Sequence, residues 1–170
     1  LRCVAGVDEA VGQMLDFLKA NDLDENTIVI YTSDQGFYLG EHGWFDKRWM
    51  YEPSFRMPFM IKYPRKISPA SRNNNLLLNI DFGPTLLDLA GIEVPKDMQG
   101  ESFKKQLFGK PTKWRDAIYY HYYEYPFWHN VQPHYGVSTG KYKLIHYYYD
   151  MDEWELFDLE NDKNEMRNLY

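Results

Sequence analysis

Apolar and polar positions follow two rhythms along this chain, and the rhythm changes near residue 110. In the first part, Val4, Val7, Val11, Leu15 and Leu18 recur at helical spacing, with Asp8, Glu9, Asp16 and Lys19 between them. That pattern predicts an amphipathic helix of roughly four to five turns. Asn21-Asp22 ends it, Leu23–Asn26 makes a short turn, and Thr27-Ile28-Val29-Ile30-Tyr31 follows as an uninterrupted β-branched and aromatic run. Such a run suits a parallel strand covered on both faces. Met57–Tyr63 predicts another short strand, with Pro58 near its start, where proline is tolerated. Pro64–Asn75 reads as a polar loop. Asp81 is placed to cap a helix with Pro84 in its first turn, Leu86, Leu87, Leu89 and Ala90 on its apolar side and Gly91 at a left-handed C-cap. Ile92–Gly109 is a connection with a short helix over Ser102–Leu107.

From Arg115 onward the period becomes that of strands. Ala117–Tyr123, His134–Thr139, Tyr142–Tyr148 and Glu153–Asp158 are aromatic or β-branched runs separated by turn residues, and Thr139-Gly140-Lys141 predicts a tight hairpin. Asn161–Tyr170 is polar and reads as a peripheral tail or the start of a further helix. The fold class is therefore α/β, with an α/β part over residues 1–109 and a small antiparallel β subdomain over 110–170. A helix feeding a buried strand implies neighbouring strands to pair with. Strands from Thr27 and from Met57 alone make a thin sheet, so the chain is expected to be a piece of something longer.

Composition narrows the function classes. With 19 Lys and Arg against 25 Asp and Glu, the formal charge is −6, which argues against a nucleic-acid binder. No apolar run approaches the ~20 residues of a membrane span. Cys3 is the sole cysteine, which excludes an internal disulfide or a cysteine-rich zinc site. Aromatic residues make up 18% of the chain and crowd between Tyr119 and Tyr149, as in carbohydrate contacts or half-buried antiparallel sheets.

Candidate chemistry concentrates just after the first strand. Asp34-Gln35-Gly36 sits at its carboxyl end, where open α/β sheets bind ligands. A carboxylate and an amide carbonyl are hard oxygen donors suited to Ca²⁺ or Mg²⁺. Gly40-Glu41-His42-Gly43 follows, and then Asp46, Lys47 and Arg48 stand side by side among Trp44, Phe45, Trp49 and Met50. Asp-Gln-Gly alone would be an ordinary turn. The whole run, continuing through Tyr51-Glu52 and Arg56-Met57-Pro58, closely resembles the Ser-Asp-(Asn/His/Gln)-Gly…Gly-(Glu/Gln)-His…Lys segment of the type I sulfatases of the alkaline phosphatase superfamily. It is most similar to their N-acetylglucosamine-6-sulfatase branch, and the likeness extends through Asp81–Gly91 to the last residues.

The resemblance implies the C-terminal part of an alkaline-phosphatase-like sulfatase domain followed by the small sheet. It implies hydrolysis of a sulfate ester on carbohydrate, here a 6-O-sulfated N-acetylglucosamine unit of a glycosaminoglycan or mucin-like glycan, by an exported enzyme. By the same resemblance, Asp34 and Gln35 would complete a Ca²⁺ site whose other ligands are absent, and Lys47 would contact the sulfate oxygens. Asp46 and Arg48 would grip sugar hydroxyls, although a local ion pair is the bland alternative. His42 either touches substrate or orients its loop, and His134 is a substrate-contact candidate. His121, His129 and His146 are assigned structural roles. Ser138 stands where relatives commonly carry arginine. The formylglycine nucleophile of the family is made from a Cys or Ser in Cys/Ser-x-Pro-x-Arg; Cys3 is followed by Val4, Ala5 and Gly6, and no serine fits. The chain alone is therefore expected to be inactive. Rival readings are a non-catalytic glycan-binding module, or a phosphodiesterase or phosphonate hydrolase of the same superfamily, against which Asp-Gln in place of Asp-His argues mildly.

Overall fold

A computed structural model describes residues 1–170. In chain order the elements are α1 (Arg2–Ala20), β1 (Val29–Thr32), β2 (Tyr38–Leu39), β3 (Phe45–Asp46), α2 (Glu52–Phe55), β4 (Phe59–Lys62), α3 (Phe82–Leu89), α4 (Lys104–Leu107), β5 (Ile118–Tyr122), β6 (His134–Ser138), β7 (Tyr142–Tyr148) and β8 (Asp152–Asp158). Helix α1 extends beyond the expected span at both ends, and none of its residues is buried. Asn21 closes it by donating from Nδ2 to Phe17 O at 2.8 Å.

Strand β1 departs from expectation. It pairs antiparallel with β4, Ile30 opposite Ile61, and Tyr31 and Thr32 are exposed. Its apolar run predicted a parallel strand covered on both faces. The neighbour this chain provides instead returns through residues 33–58, which hold the β2–β3 ladder and the one-turn α2 but no long crossover helix, and the pairing is antiparallel. Helix α3 meets its predicted C-cap: Gly91 has φ +74°, Gly91 N donates to Asp88 O and Ile92 N to Leu87 O, the pattern of a Schellman motif. Asp81 precedes α3 but does not cap it. Its buried carboxylate accepts from Leu78 N, from Glu101 N and from both Arg115 guanidinium nitrogens, tying the segment before β5 to the start of α3.

Strands β5-β6-β7-β8 form one antiparallel sheet in that order. The Gly140 turn joins β6 to β7 with φ +78°. Inward residues His134, Gly136 and Ser138 of β6 and Lys143, Ile145 and Tyr147 of β7 are buried. The other wall of this core is the segment around β2 and β3, because Tyr38, Met50, Tyr51, Ile145, Tyr147 and Phe157 form one buried cluster. Gly136 permits the contact: a Cβ there would lie 2.5 Å from Met50 Sδ and from Leu144 O. The C-terminal tail is not peripheral. Leu169 N donates to Leu156 O, Tyr170 stacks on Trp154 at 5.8 Å, and Glu165 is buried.

Candidate functional site

The loop after β1 is organised by aromatic stacking and by α2. Trp44 stacks on Trp49 at 4.8 Å, His42 stacks on Tyr51 at 4.8 Å, and Tyr120 Oη donates to Arg48 O at 2.8 Å. This leaves Asp46, Lys47 and Arg48 on a braced backbone. Three non-glycine residues of the loop, His42, Asp46 and Arg48, hold positive φ of 56°, 91° and 111°. Such conformations cost roughly 1–3 kcal/mol each and concentrate at functional sites.

Two charged groups result. In the first, Lys47 Nζ donates to Asp34 Oδ2 at 2.7 Å, and that ammonium holds the Asp34 carboxyl below its ordinary range. In the second, Arg48 NH1 donates to Asp46 Oδ1 at 3.0 Å while its NH2 lies 2.6 Å from His129 Nε2. A guanidinium cannot accept, so His129 must accept at Nε2 and carry its proton on Nδ1, which faces Asp46 Oδ2 at 3.7 Å. His129 was expected to be structural; the loop before β6 instead brings it onto the charged pair. Nothing in its local sequence, Phe127-Trp128-His129-Asn130, signals a partner that lies 81 positions away.

The other predicted residues separate. His42 makes no hydrogen bond and lies in an aromatic stack lining an open cleft of about 810 Å³ with Glu41, Glu52, Pro53, Arg56 and Lys163. That cleft includes none of Asp34, Asp46, Lys47 and Arg48. His134 is fully buried, stacked on Trp49 at 5.6 Å and Tyr122 at 5.5 Å. Burial pushes its pKa down to about 4, and Nδ1 lies 2.7 Å from Gln132 O. With no exposed surface in this chain, it packs where a substrate contact was expected. His121 and His146 lie on the opposite face of the sheet, bonded to Tyr148 and to Tyr135 and Asp152.

The donor set fits a hard cation in part. Gln35 Nε2 is committed to Ser54 Oγ at 3.2 Å, which leaves Oε1 as its free amide atom, and Lys47 occupies Oδ2 of Asp34, which leaves Oδ1 as the carboxylate oxygen without a side-chain partner. Both free atoms are oxygens of the kind calcium takes, but it takes six to eight. No cluster of at least three acidic, histidine or cysteine side chains is present to supply them.

The family described as "N-sulphoglucosamine sulphohydrolase, C-terminal" matches residues 40–170. The chain is 53% identical to an N-acetylglucosamine-6-O-sulfatase of Bacteroides thetaiotaomicron, over 100% of this chain and 31% of that protein. It is 33% identical to an arylsulfatase of Clostridium perfringens, over 98% of this chain and 34% of that one. A solved structure in complex with its substrate D-glucosamine-2-N,6-O-disulfate superposes with a TM-score of 0.92 at 54% identity, over 98% of this chain and 34% of that one. The chain thus spans about a third of the length of the curated relatives it matches.

Proposed function

Since the chain belongs to the sulfatases, as a C-terminal portion of one, we propose that the longer protein hydrolyses a sulfate ester on carbohydrate, with 6-O-sulfated N-acetylglucosamine as the unit recognised. The observation that carries this reading is the Lys47–Asp34 pair standing next in sequence to the Asp46–Arg48–His129 group. The first has the chemistry to meet a sulfate; the second has the chemistry to meet sugar hydroxyls.

In this reading Lys47 offers a compact charge with three donors to the sulfate oxygens, stabilising charge that develops as the ester bond breaks. Asp34 and Gln35 would hold calcium together with ligands from outside this chain. Bound calcium supplies further positive charge at the sulfate. Asp46 accepts from, and Arg48 donates to, adjacent hydroxyls, while His129 fixes the guanidinium plane. The chain carries no Cys/Ser-x-Pro-x-Arg motif, so a formylglycine nucleophile would come from elsewhere in the longer protein. Export belongs to the same proposal; no helix is long and apolar enough to cross a membrane. A lone glycan-binding role predicts calcium-dependent glycan binding by residues 1–170 by themselves, and the partial donor set speaks against that.

Arg48→Ala in the longer protein tests the reading. A lost hydrogen bond to a charged group is worth about 1.5–3 kcal/mol, so kcat/KM on the 6-sulfated sugar is expected to fall roughly 10- to 100-fold. Hydrolysis of a small aryl sulfate, which lacks the hydroxyls, is expected to change far less. Equal losses on both substrates would assign Arg48 to the sulfate or to the fold and sink the sugar-binding role.

A further inference from the structure

The hydroxyl of Ser54 lies where the two halves of the site meet. Ser54 is fully buried in α2. Its Oγ accepts from Gln35 Nε2 at 3.2 Å and from the backbone N–H of Arg48 at 3.0 Å. Its carbonyl accepts from Gly36 N at 2.8 Å. The chain leaving β1 is pressed against this helix, for a Cβ at Gly36 would fall 2.1 Å from Pro53 O and 2.6 Å from Arg56 O. One short helix therefore touches both the residue placed to hold a metal and the residue placed to hold the sugar.

The helix is itself anchored from the far side of the core. Lys143 Nζ, with no exposed surface, donates to Glu52 Oε1 at 2.8 Å and to Glu165 Oε1 at 2.6 Å. Glu165 Oε2 in turn accepts from Glu52 N, the first amide of α2, at 2.6 Å. Glu165 holds φ +53°, a left-handed conformation that aligns it for both contacts. Burial lifts the Glu165 carboxyl above its ordinary range even against the pull of Lys143, so assembling the group is costly. A buried ion group is weak evidence for stability, but these bonds fix the first turn of α2 geometrically.

We propose that Ser54 is a positioning residue that couples the metal side of the site, through Gln35, to the sugar side, through Arg48, with Glu52, Lys143 and Glu165 holding its helix in place. The inference rests on the functional reading above and adds a dependence between its two halves. Gln35 and Arg48 are 13 positions apart and share no direct hydrogen bond; both bond the one hydroxyl of Ser54, which sets their spacing. Removing it frees the Gln35 amide to rotate and lets the Arg48 backbone relax from its positive φ. Small displacements of positioning contacts cost up to ~100-fold in rate, and loss of a residue that orients a metal ligand costs roughly 10–100-fold in affinity.

The test is Ser54→Ala in the longer protein, beside Gln35→Ala and Arg48→Ala. Calcium affinity is read by titration calorimetry, sugar preference as the ratio of kcat/KM on 6-sulfated N-acetylglucosamine to that on an aryl sulfate, and Tm by calorimetry. Gln35→Ala is expected to weaken calcium alone and Arg48→Ala to lower the ratio alone. Ser54→Ala is expected to do both, each roughly 10-fold or more, with a modest loss of Tm from the two donors left unpaired. If the controls behave and Ser54→Ala moves one readout or neither, the coupling is wrong. A matching fall in activity on both substrates with a large loss of Tm would likewise reduce Ser54 to a packing residue. If the controls themselves move neither readout, the functional reading fails, independently of Ser54. Should the alanine variant not fold, Ser54→Cys, which keeps the volume and accepts hydrogen bonds poorly, is read by the same criteria.

Discussion

Helix α1 and strand β7 are both amphipathic, and they end at opposite extremes of burial. Of the 19 residues of α1, none is buried, and Val4, Val7, Met14 and Phe17 face outward. In β7, Lys143 and Ile145 have 0% exposure and Tyr147 2%. The patterns are equally clear; the partners differ. Strand β7 has β6 and β8 at its sides and the Tyr38–Tyr51 segment over its inner face. Helix α1 rests mainly on the short turn that follows it, and Val11, Leu15 and Leu18 are only half-buried. Periodicity thus reports which face a segment would bury, while the neighbours decide whether it is buried. The partner can even reverse the usual choice of residue, since an inward lysine is accepted in β7 where two carboxylates meet it.

The contrast predicts a steep gradient of sensitivity. The largest effect is expected for Lys143→Ala, which strands Glu165 in the core without its counter-charge. Removing one partner of a buried pair costs about 3–5 kcal/mol. Urea unfolding should show that loss, and Lys143→Met combined with Glu165→Gln should restore much of it. A cost below ~1 kcal/mol would mean that the pair behaves like a surface contact and that the two regions differ less than their burial implies.

An intermediate effect is expected at Asp81, which joins the start of α3 to Arg115 in the segment before β5. Burial would raise this carboxyl, but Arg115 and the amides of Glu101 and Leu78 outweigh it, and the net shift is below the ordinary 3.8. A depressed folded value means stability that is present above pH 3.8 and is lost as pH falls through the folded pKa. Thermal unfolding followed below pH 4 should therefore show a Tm that drops with acid, and Asp81→Asn should flatten that slope while lowering Tm at neutral pH. An unchanged slope would remove Asp81 from the acid response.

The smallest effect is expected on α1. Phe17→Ser changes an exposed position, and substitutions of that kind usually stay within ~0.5 kcal/mol. Val7, Met14 and Phe17 form an exposed apolar stripe, which is expected to drive self-association of residues 1–170, and sedimentation should show that association weakened in Phe17→Ser. A stability loss of several kcal/mol would show that the stripe is covered within the chain after all.

What was readable beforehand follows the same division. The four strands, the Gly140 turn and the Gly91 cap were legible, because each rests on contacts between near neighbours in sequence. Asp34, Lys47 and Arg48 stood out as a charged cluster beside a strand end. The pairing direction of β1 was not legible, since an apolar run specifies burial and not a partner. Nor were His129, Ser54 and Glu165, whose roles come from contacts 81, 19 and 113 positions away. His134 misled for a related reason: a histidine flanked by Pro133 and Tyr135 gives no sign of whether it faces a ligand or a tryptophan.

The bond from Glu52 N to Glu165 also orders events in time. Translation proceeds at ~5–20 residues per second, so Glu165 leaves the ribosome on the order of ten seconds after Glu52. Through that interval the loop carrying Lys47 and Arg48 exists without the clamp that sets it, and its tryptophans have no sheet to lie against. The nascent loop is thus exposed to chaperones or to wrong partners before it can be a site. A stop codon or a cut just upstream of Glu165 would spare every charged residue of the loop and still leave the loop unset.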